Sequence, residues 1–497
     1  MKRFSKSAVE FQPSRLEQLE DRNLLAAAPI TFVDGDGTTV KISLSGNGAM
    51  VLNGADLAIT GADQGTKLTI SNKGGDGRTT LGSITVSGAI KSISAKTTDF
   101  TGDISILGSV RTLELGDFLA GNEHQLTVGG TANASAANFT FGRVVDLSID
   151  SNTPIGSLTV TDWDDTNGDD LIETPELKKV KSKEDFAPSG IIISDEEGEG
   201  YLGKMTVENL LGGTWYVDGD SAGIDTGSTA PTFKMNVLGK MSGLKVDTDF
   251  SGILAAYNIG SVDISGNVVN ALILAGADLG TDMELGGSGD EADLFFSGDF
   301  SKLSVKGGIT TSTFGAGLDP FNGVIGDGDD FVVGKTNSSF GSINVRGLAD
   351  GQTRFAAGKF SGKPKIGGTS LDPNGDPRFI LASTVLDETP PVIFAELRTN
   401  TGDPNDNITS DATIVGRVID LGSVKTFKFG VDDDELKDFS NIVKLIEPDG
   451  TFELLRSAIE KVNKGPLSVG LHTINFLAMD EIGNTAAIFS VAFVFAP

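Results

Sequence analysis

Gly82-Ser83-Ile84-Thr85-Val86 decides how this chain is read, because the same pattern keeps returning. It reappears as Gly102-Asp103-Ile104-Ser105-Ile106, Gly156-Ser157-Leu158-Thr159-Val160 and Gly203-Lys204-Met205-Thr206-Val207. It returns again as Gly260-Ser261-Val262-Asp263-Ile264 and Gly341-Ser342-Ile343-Asn344-Val345, with looser copies at Gly108-Ser109-Val110, Gly239-Lys240-Met241 and Ser301-Lys302-Leu303-Ser304-Val305. The physics is period two: the aliphatic pair faces inward, the residue between them faces water, and glycine permits the corner. Several copies stand about twenty residues apart, the length of one solenoid rung, and stacked rungs bury their apolar rows on each other. The expectation for 30–386 is therefore all-β: a right-handed parallel β-helix, or solenoid, since parallel crossovers are overwhelmingly right-handed. A pair of β-sandwiches with glycine-rich hairpins is the competing arrangement, because period two does not separate parallel from antiparallel pairing.

Composition narrows the chemistry. The chain of 497 residues carries 68 Asp plus Glu against 39 Lys plus Arg, a formal net charge of −29. Such a field repels nucleic acid and anionic lipid surfaces and suits a soluble surface or secreted protein that binds divalent cations. No cysteine is present, so if the protein is exported something other than disulfides must supply rigidity, with β ladders and calcium sites the candidates. Two histidines, two tryptophans and three tyrosines offer little material for acid–base sites or aromatic platforms, which lowers the expectation of an enzyme. The 29 phenylalanines are natural core fillers. No apolar run of membrane-spanning length occurs.

One window has a spacing that chemistry demands: Asp165-Thr166-Asn167-Gly168-Asp169-Asp170-Leu171-Ile172-Glu173-Thr174-Pro175-Glu176, at the heart of an insert spanning 162–186. Oxygen side chains fall at the first, third, fifth, ninth and twelfth positions, and an aliphatic falls at the eighth, as in a calcium loop. The window resembles the EF-hand signature. That resemblance implies calcium (Ca2+) held by Asp165, Asn167 and Asp169, the Leu171 carbonyl, Glu173 and a bidentate Glu176, with Ile172 packed inward. The sixth position, usually glycine, is Asp170, which would have to take the sharp turn. Leu158–Val160 argues against an entering helix, while Leu177–Phe186 is expected as a short exiting one. Other acid-rich turns, at 34–36, 195–199 and 326–330, lack a full ligand set and read as turn formers.

The segment 1–29 differs from the rest. It begins basic and continues Arg15-Leu16-Glu17-Gln18-Leu19-Glu20-Asp21-Arg22-Asn23-Leu24-Leu25. It lacks the apolar core of a standard secretory signal. The run resembles the LEPR-XLL segment that opens many large planctomycete surface and secreted proteins, with Gln18 and Glu20-Asp21 in place of the proline-containing variant. The resemblance implies an extracellular or cell-surface location.

Past Asp387-Glu388-Thr389-Pro390-Pro391 a separate module is expected over 387–497. Strands are expected at 392–397, 412–419, 424–431, 450–455, 470–479 and 485–495, with a helical stretch at 454–464. The string Leu467-x-x-Gly470-x-His472-x-Ile474-x-Phe476-x-Ala478-x-Asp480-x-x-Gly483-Asn484 resembles the final hairpin of bacterial Ig-like domains, with Ile474, Phe476 and Ala478 inward. The resemblance implies an Ig-like β-sandwich. Asp387, Asp403, Asp406 and Asp480 read as turn formers ahead of calcium ligands, and His472 as a cross-strand partner.

Together these features point to an exported structural or adhesive protein without catalysis, stiffened by calcium. Its expected partners are calcium and extracellular polysaccharide or cell-envelope components, with neither nucleic acid nor a membrane span. The alternative is a polysaccharide-active β-helix enzyme, a lyase or glycosidase, which needs clustered Asp with Arg or Lys on one solenoid face.

Overall fold

A computed structural model describes residues 27–497 except 122, 195–199, 287–291, 321–322, 327–329, 334–337, 383–389, 400–406, 421–423, 433, 435, 448–449, 481–482 and 497. The protein is all-β, and its larger part is a β-solenoid of about 13 turns. Most turns contribute to three ladders. The first ladder stacks Leu57, Ile84, Ile104, Leu126, Ile149, Ile172, Ile191, Trp215, Met235, Leu254, Ile273, Phe314, Phe355 and Phe379 in parallel register. The second stacks Leu68, Ile93, Leu113, Phe139, Leu158, Val180, Met205, Ile224, Leu244, Val262, Leu303 and Ile343. All of these side chains are buried in one continuous core. On the third side Val144, Trp163, Phe186 and Leu210 pair in sequence.

The recurring motif does not mark a single ladder. The copies at Ile84 and Ile104 lie on the first, whereas those at Leu158, Met205, Val262, Leu303 and Ile343 lie on the second. Most second-ladder strands also bury an apolar residue three positions earlier: Ile90 before Ile93, Ile155 before Leu158, Ile259 before Val262, Phe340 before Ile343. The full unit is apolar-x-x-apolar-x-apolar, with the three-residue step at the bend where the chain enters the ladder.

Glycine serves this unit differently from the expectation that it frees a corner. Gly203, Gly260 and Gly341 do not have positive φ. A Cβ on any of them would run into the carbonyl oxygen of the preceding turn, at Lys178, Ser242 and Ser301 respectively. These residues are glycine because two backbones pass close, not because the chain turns left-handed.

A second use of glycine accounts for part of the acidity. Asp56, Asp117, Asp220 and Asp249 accept hydrogen bonds from the N–H groups of Ser83 (2.8 Å), Arg143 (2.9 Å), Lys240 (2.7 Å) and Asn267 (2.6 Å) on the following turn. The residue before each donor is Gly82, Gly142, Gly239 or Gly266, and a Cβ there would strike the same aspartate oxygen. Aspartate and glycine thus form an inter-turn clip: a charge-assisted bond closes the corner, and the glycine makes room for it.

The parallel stack does not begin at Ile30. Strands Ile30–Val33, Thr39–Ser45 and Lys67–Lys73 pair antiparallel, as do Ala49–Asn53 and Asp56–Thr60, before parallel pairing starts. This hairpin start covers the first rung's open edge. Later, the first ladder passes from Ile273 to Phe314 and on to Phe355 through turns of roughly doubled length. Their extra residues form antiparallel hairpins, Ala277–Asp278 with Leu294–Phe295 and Leu318–Asp319 with Phe331–Val332. The core becomes aromatic here: Phe300–Phe340 and Phe314–Phe355 stack with centroids 4.4 and 5.2 Å apart.

From Val392 onward the strands belong to two other sheets. One joins Val392–Leu397, Ile414–Ile419 and Thr451–Leu454; the other joins Ile408–Thr409, Phe489–Phe495, Gly470–Asp480, Val424–Val431 and Ser440–Asn441. They enclose a separate core in which Ile474, Phe476 and Ala478 are fully buried, as their alternation predicts. Arg456–Val462 is helical, within the expected stretch. The boundary expected near 387 falls outside the described residues.

Candidate functional site

The segment 165–170 is the corner between strand Asp162–Asp164 on the third ladder and strand Leu171–Thr174 on the first. Asp165 organises it. Its carboxylate accepts from the N–H groups of Gly168 (2.6 Å) and Asp170 (3.1 Å), and from the N–H (3.2 Å) and hydroxyl of Ser189 on the next turn. Burial is the largest influence on this group and pushes its pKa up, yet these donors outweigh it and hold Asp165 below the usual carboxylate range. Gly168, not Asp170, takes the left-handed conformation, at φ +85°. Asp170 is free to point inward. It is 2 % exposed and accepts from the Trp163 indole N–H at 2.9 Å. Asp146 on the preceding turn accepts from the N–H (2.7 Å) and hydroxyl of Thr166.

Carboxylate oxygens of Asp146, Asp165 and Asp170 lie within 4.8 Å of one another. Burial, reinforced by these two neighbouring carboxylates, pushes Asp170 up to about 7. The residues expected from the sequence separate into two groups. Asp165, Asn167 and Asp169 share the loop, where Asn167 accepts from the Asp169 N–H (3.4 Å) and donates to Glu123 (3.2 Å). Leu171, Glu173 and Glu176 lie on strands. The Leu171 N–H donates to Ser148 Oγ (3.0 Å), Glu173 stands exposed between Asp150 and Ile192, and Glu176 pairs with Lys178 at 2.9 Å. The expected exiting helix is instead strands Glu176–Ser182 and Asp185–Phe186. The physical reason is the ladder: its hydrogen bonds hold 171–174 extended, so the second half of the window cannot curl around an ion. Asp146 was missed because it lies a full turn upstream of the window, and only the rung length would bring it to Thr166.

The other acidic group, Asp162, Asp164 and Asp185, is partly neutralised by Arg143, which pairs with Asp164 and, at 3.3 Å, with Asp162. In the C-terminal module His472 Nδ1 lies 2.9 Å from Asp432 Oδ2, and Nε2 lies 3.3 Å from the Ser468 hydroxyl. This looks like a nucleophile–base–acid chain. It is not one, because Nε2 is also 2.9 Å from the Ser468 carbonyl, to which it can only donate. A nitrogen that holds its proton there is no base for Ser468.

Beside the acidic loop lies a cleft of about 610 Å³ on the outer side of the first ladder. Outward positions of solenoid strands are usually polar, but here they run Ile192, Tyr216, Asn236, Ala255 and Leu274. From Ala255 onward they are covered by the two hairpins, in a small second core containing Leu274, Leu279, Leu318, Val332 and Ala356. The first hairpin is anchored by Asn236 Nδ2 to Asp278 (2.6 Å), and by Lys234 Nζ to the Asp282 carbonyl (3.1 Å) and Glu284 (2.9 Å). Ile192 and Tyr216 remain as a floor, with the loop 169–171 on one side and Asp278, Met283 and Leu294 on the other. A Cβ on Gly190, which lines the cleft, would sit 2.7 Å from the Leu171 side chain.

The class these features define is a β-solenoid with an acidic corner and an adjoining outward cleft. No family model matches the chain, no curated protein matches it, and no solved structure matches it.

Proposed function

We infer that the chain is an exported, calcium-stabilised structural or adhesive protein of the cell surface that performs no catalysis. The observation that carries this is the corner at Asp170, where three carboxylates from two consecutive turns crowd around one another. Calcium favours such an all-oxygen set, and a cation there would offset the burial and the neighbouring carboxylates that together raise Asp170, and would tie the two turns together. The residues that would hold it are Asp146, Asp165 and Asp170, with Asp169 beside them on the loop. Supporting the mechanical role is the inter-turn clip, which repeats along the stack and lets the coil act as one extended body. The coil is taken as right-handed, the sense that parallel crossovers adopt. The two C-terminal sheets are taken as an Ig-like sandwich serving as a spacer. The LEPR-XLL-like string supports export, although 1–26 lie outside the described residues.

The experiment is thermal melting with calcium and with a chelator. Calcium at a hundredfold excess over its Kd adds about 2.7 kcal/mol to the wild type. Asp146→Asn with Asp170→Asn, which keeps side-chain shape and the acceptor for Trp163, removes that gain. Identical wild-type melting in calcium and chelator would overturn the calcium proposal.

A further inference from the structure

We propose that the cleft over Ile192 and Tyr216 binds a neutral glycan chain, with sugar rings stacked on Tyr216 and hydroxyls bonded to the surrounding carboxylates and hydroxyls. The proposal rests on the adhesive function above and names its ligand.

Size comes first. A volume of about 610 Å³ lies within the range of ligand sites, and a short oligosaccharide fills it. Chemistry comes second. A pyranose offers an apolar C–H face and a rim of hydroxyls that both donate and accept. The cleft offers the complement: an apolar floor of Ile192 and Tyr216 with Leu171 at its side, Asp169 and Asp278 as acceptors, and Ser189 and Thr214 as groups of either kind. Charge comes third. The acidic lining and the net charge of −29 repel polyanionic glycans. Arg417, which also lines the cleft, opposes a strongly cationic peptide. A neutral, hydroxyl-rich ligand satisfies both signs. Preorganisation comes last. Trp215 and Ile191, fully buried behind the floor, fix the two strands, so the backbone that carries Ile192 and Tyr216 is ordered before a ligand arrives.

The test uses the intact chain and titration calorimetry with cello-, xylo-, laminari- and mannohexaose, beside oligogalacturonate and an oligolysine peptide. The variants are Tyr216→Ala, Tyr216→Phe and Thr214→Arg; Thr214 is exposed, so the arginine fills the cleft from a tolerant position. The expected result is saturable binding of at least one neutral hexaose. Tyr216→Ala and Thr214→Arg weaken it tenfold or more at unchanged melting temperature, while Tyr216→Phe stays within threefold. Neutral binding that survives Tyr216→Ala and Thr214→Arg would overturn the cleft and leave the adhesive function standing. Binding only of oligogalacturonate or oligolysine would overturn the neutral ligand. No binding of any probe would overturn the cleft, and whole-cell-envelope pull-down by the same protein would then decide the adhesive function separately. Release of new reducing ends would keep the cleft and replace adhesion with catalysis.

Discussion

Single residues carry the close tolerances of the stack. Gly341 lies where a Cβ would meet the Ser301 carbonyl oxygen, whereas Gly35 has nothing within 4 Å of its would-be Cβ. Gly341→Ala therefore costs about 1–3 kcal/mol of stability, while Gly35→Ala changes it by less than about 0.5 kcal/mol, measured by denaturant melts. His472 sets a pH dependence in the C-terminal module. Burial, the largest influence, lowers its pKa, but hydrogen bonds to the Ser468 carbonyl and Asp432 outweigh it and the net shift is upward. A raised histidine contributes stability that is fully present below its unfolded value near 6.5 and is lost as pH rises through the folded value. Wild type should exceed His472→Gln by about 1–2 kcal/mol at pH 5.5, with the gap narrowing steadily toward pH 9. A gap that widens with pH would contradict the assignment.

At the scale of elements, the clip is the unit to test. Asp249 accepts from both the N–H and the side chain of Asn267, in the space left by Gly266. Because the pair is exposed, Asp249→Ala costs only about 1 kcal/mol, and the loss should be local, seen as faster amide exchange at Asn267 with little change at Ile84 or Ile104. Elements also show what the sequence revealed. Alternation at Ile84/Val86, Val262/Ile264 and Ile343/Val345 was enough to identify inward residues, and the C-terminal strands at 392–397 and 424–431 fall on the expected residues. A helix is expected over Leu177–Phe186, where Leu177 and Val180 stand three apart. They occupy the bend and the ladder position of a strand, like Ile155 and Leu158 beneath them. A three-residue step is common to a helix and to this bend, and only the stacked neighbours distinguish them. Only part of the acidic site was legible. Asp165 follows from loop spacing, but the same pattern casts Asp170 as the turn residue rather than a ligand, Asp146 and Ser189 come from adjoining turns, and Glu173 and Glu176 are drawn away because ladder bonds outcompete a curled loop. The cleft was not legible, since Ile192 and Tyr216 become a floor only once the hairpins after Asp278 cover their neighbours.

For the whole molecule, everything depends on consecutive rungs lying parallel and in register. That arrangement places Asp146 against Asp165, seats each clip and makes the outer side of the first ladder a continuous surface. Thr85 and Ser105 are exposed partners on adjacent rungs, and Ser105 pairs in turn with Thr127. The chain has no cysteine, so introduced pairs report without background. Neighbouring strands are about 4.8 Å apart, within disulfide reach, and rungs two apart are not. Under mild oxidation, Thr85→Cys with Ser105→Cys should form an intrachain disulfide in most molecules, while Thr85→Cys with Thr127→Cys should stay reduced. A bridge in the second pair and none in the first would contradict the stacked coil and the acidic corner and cleft built on it.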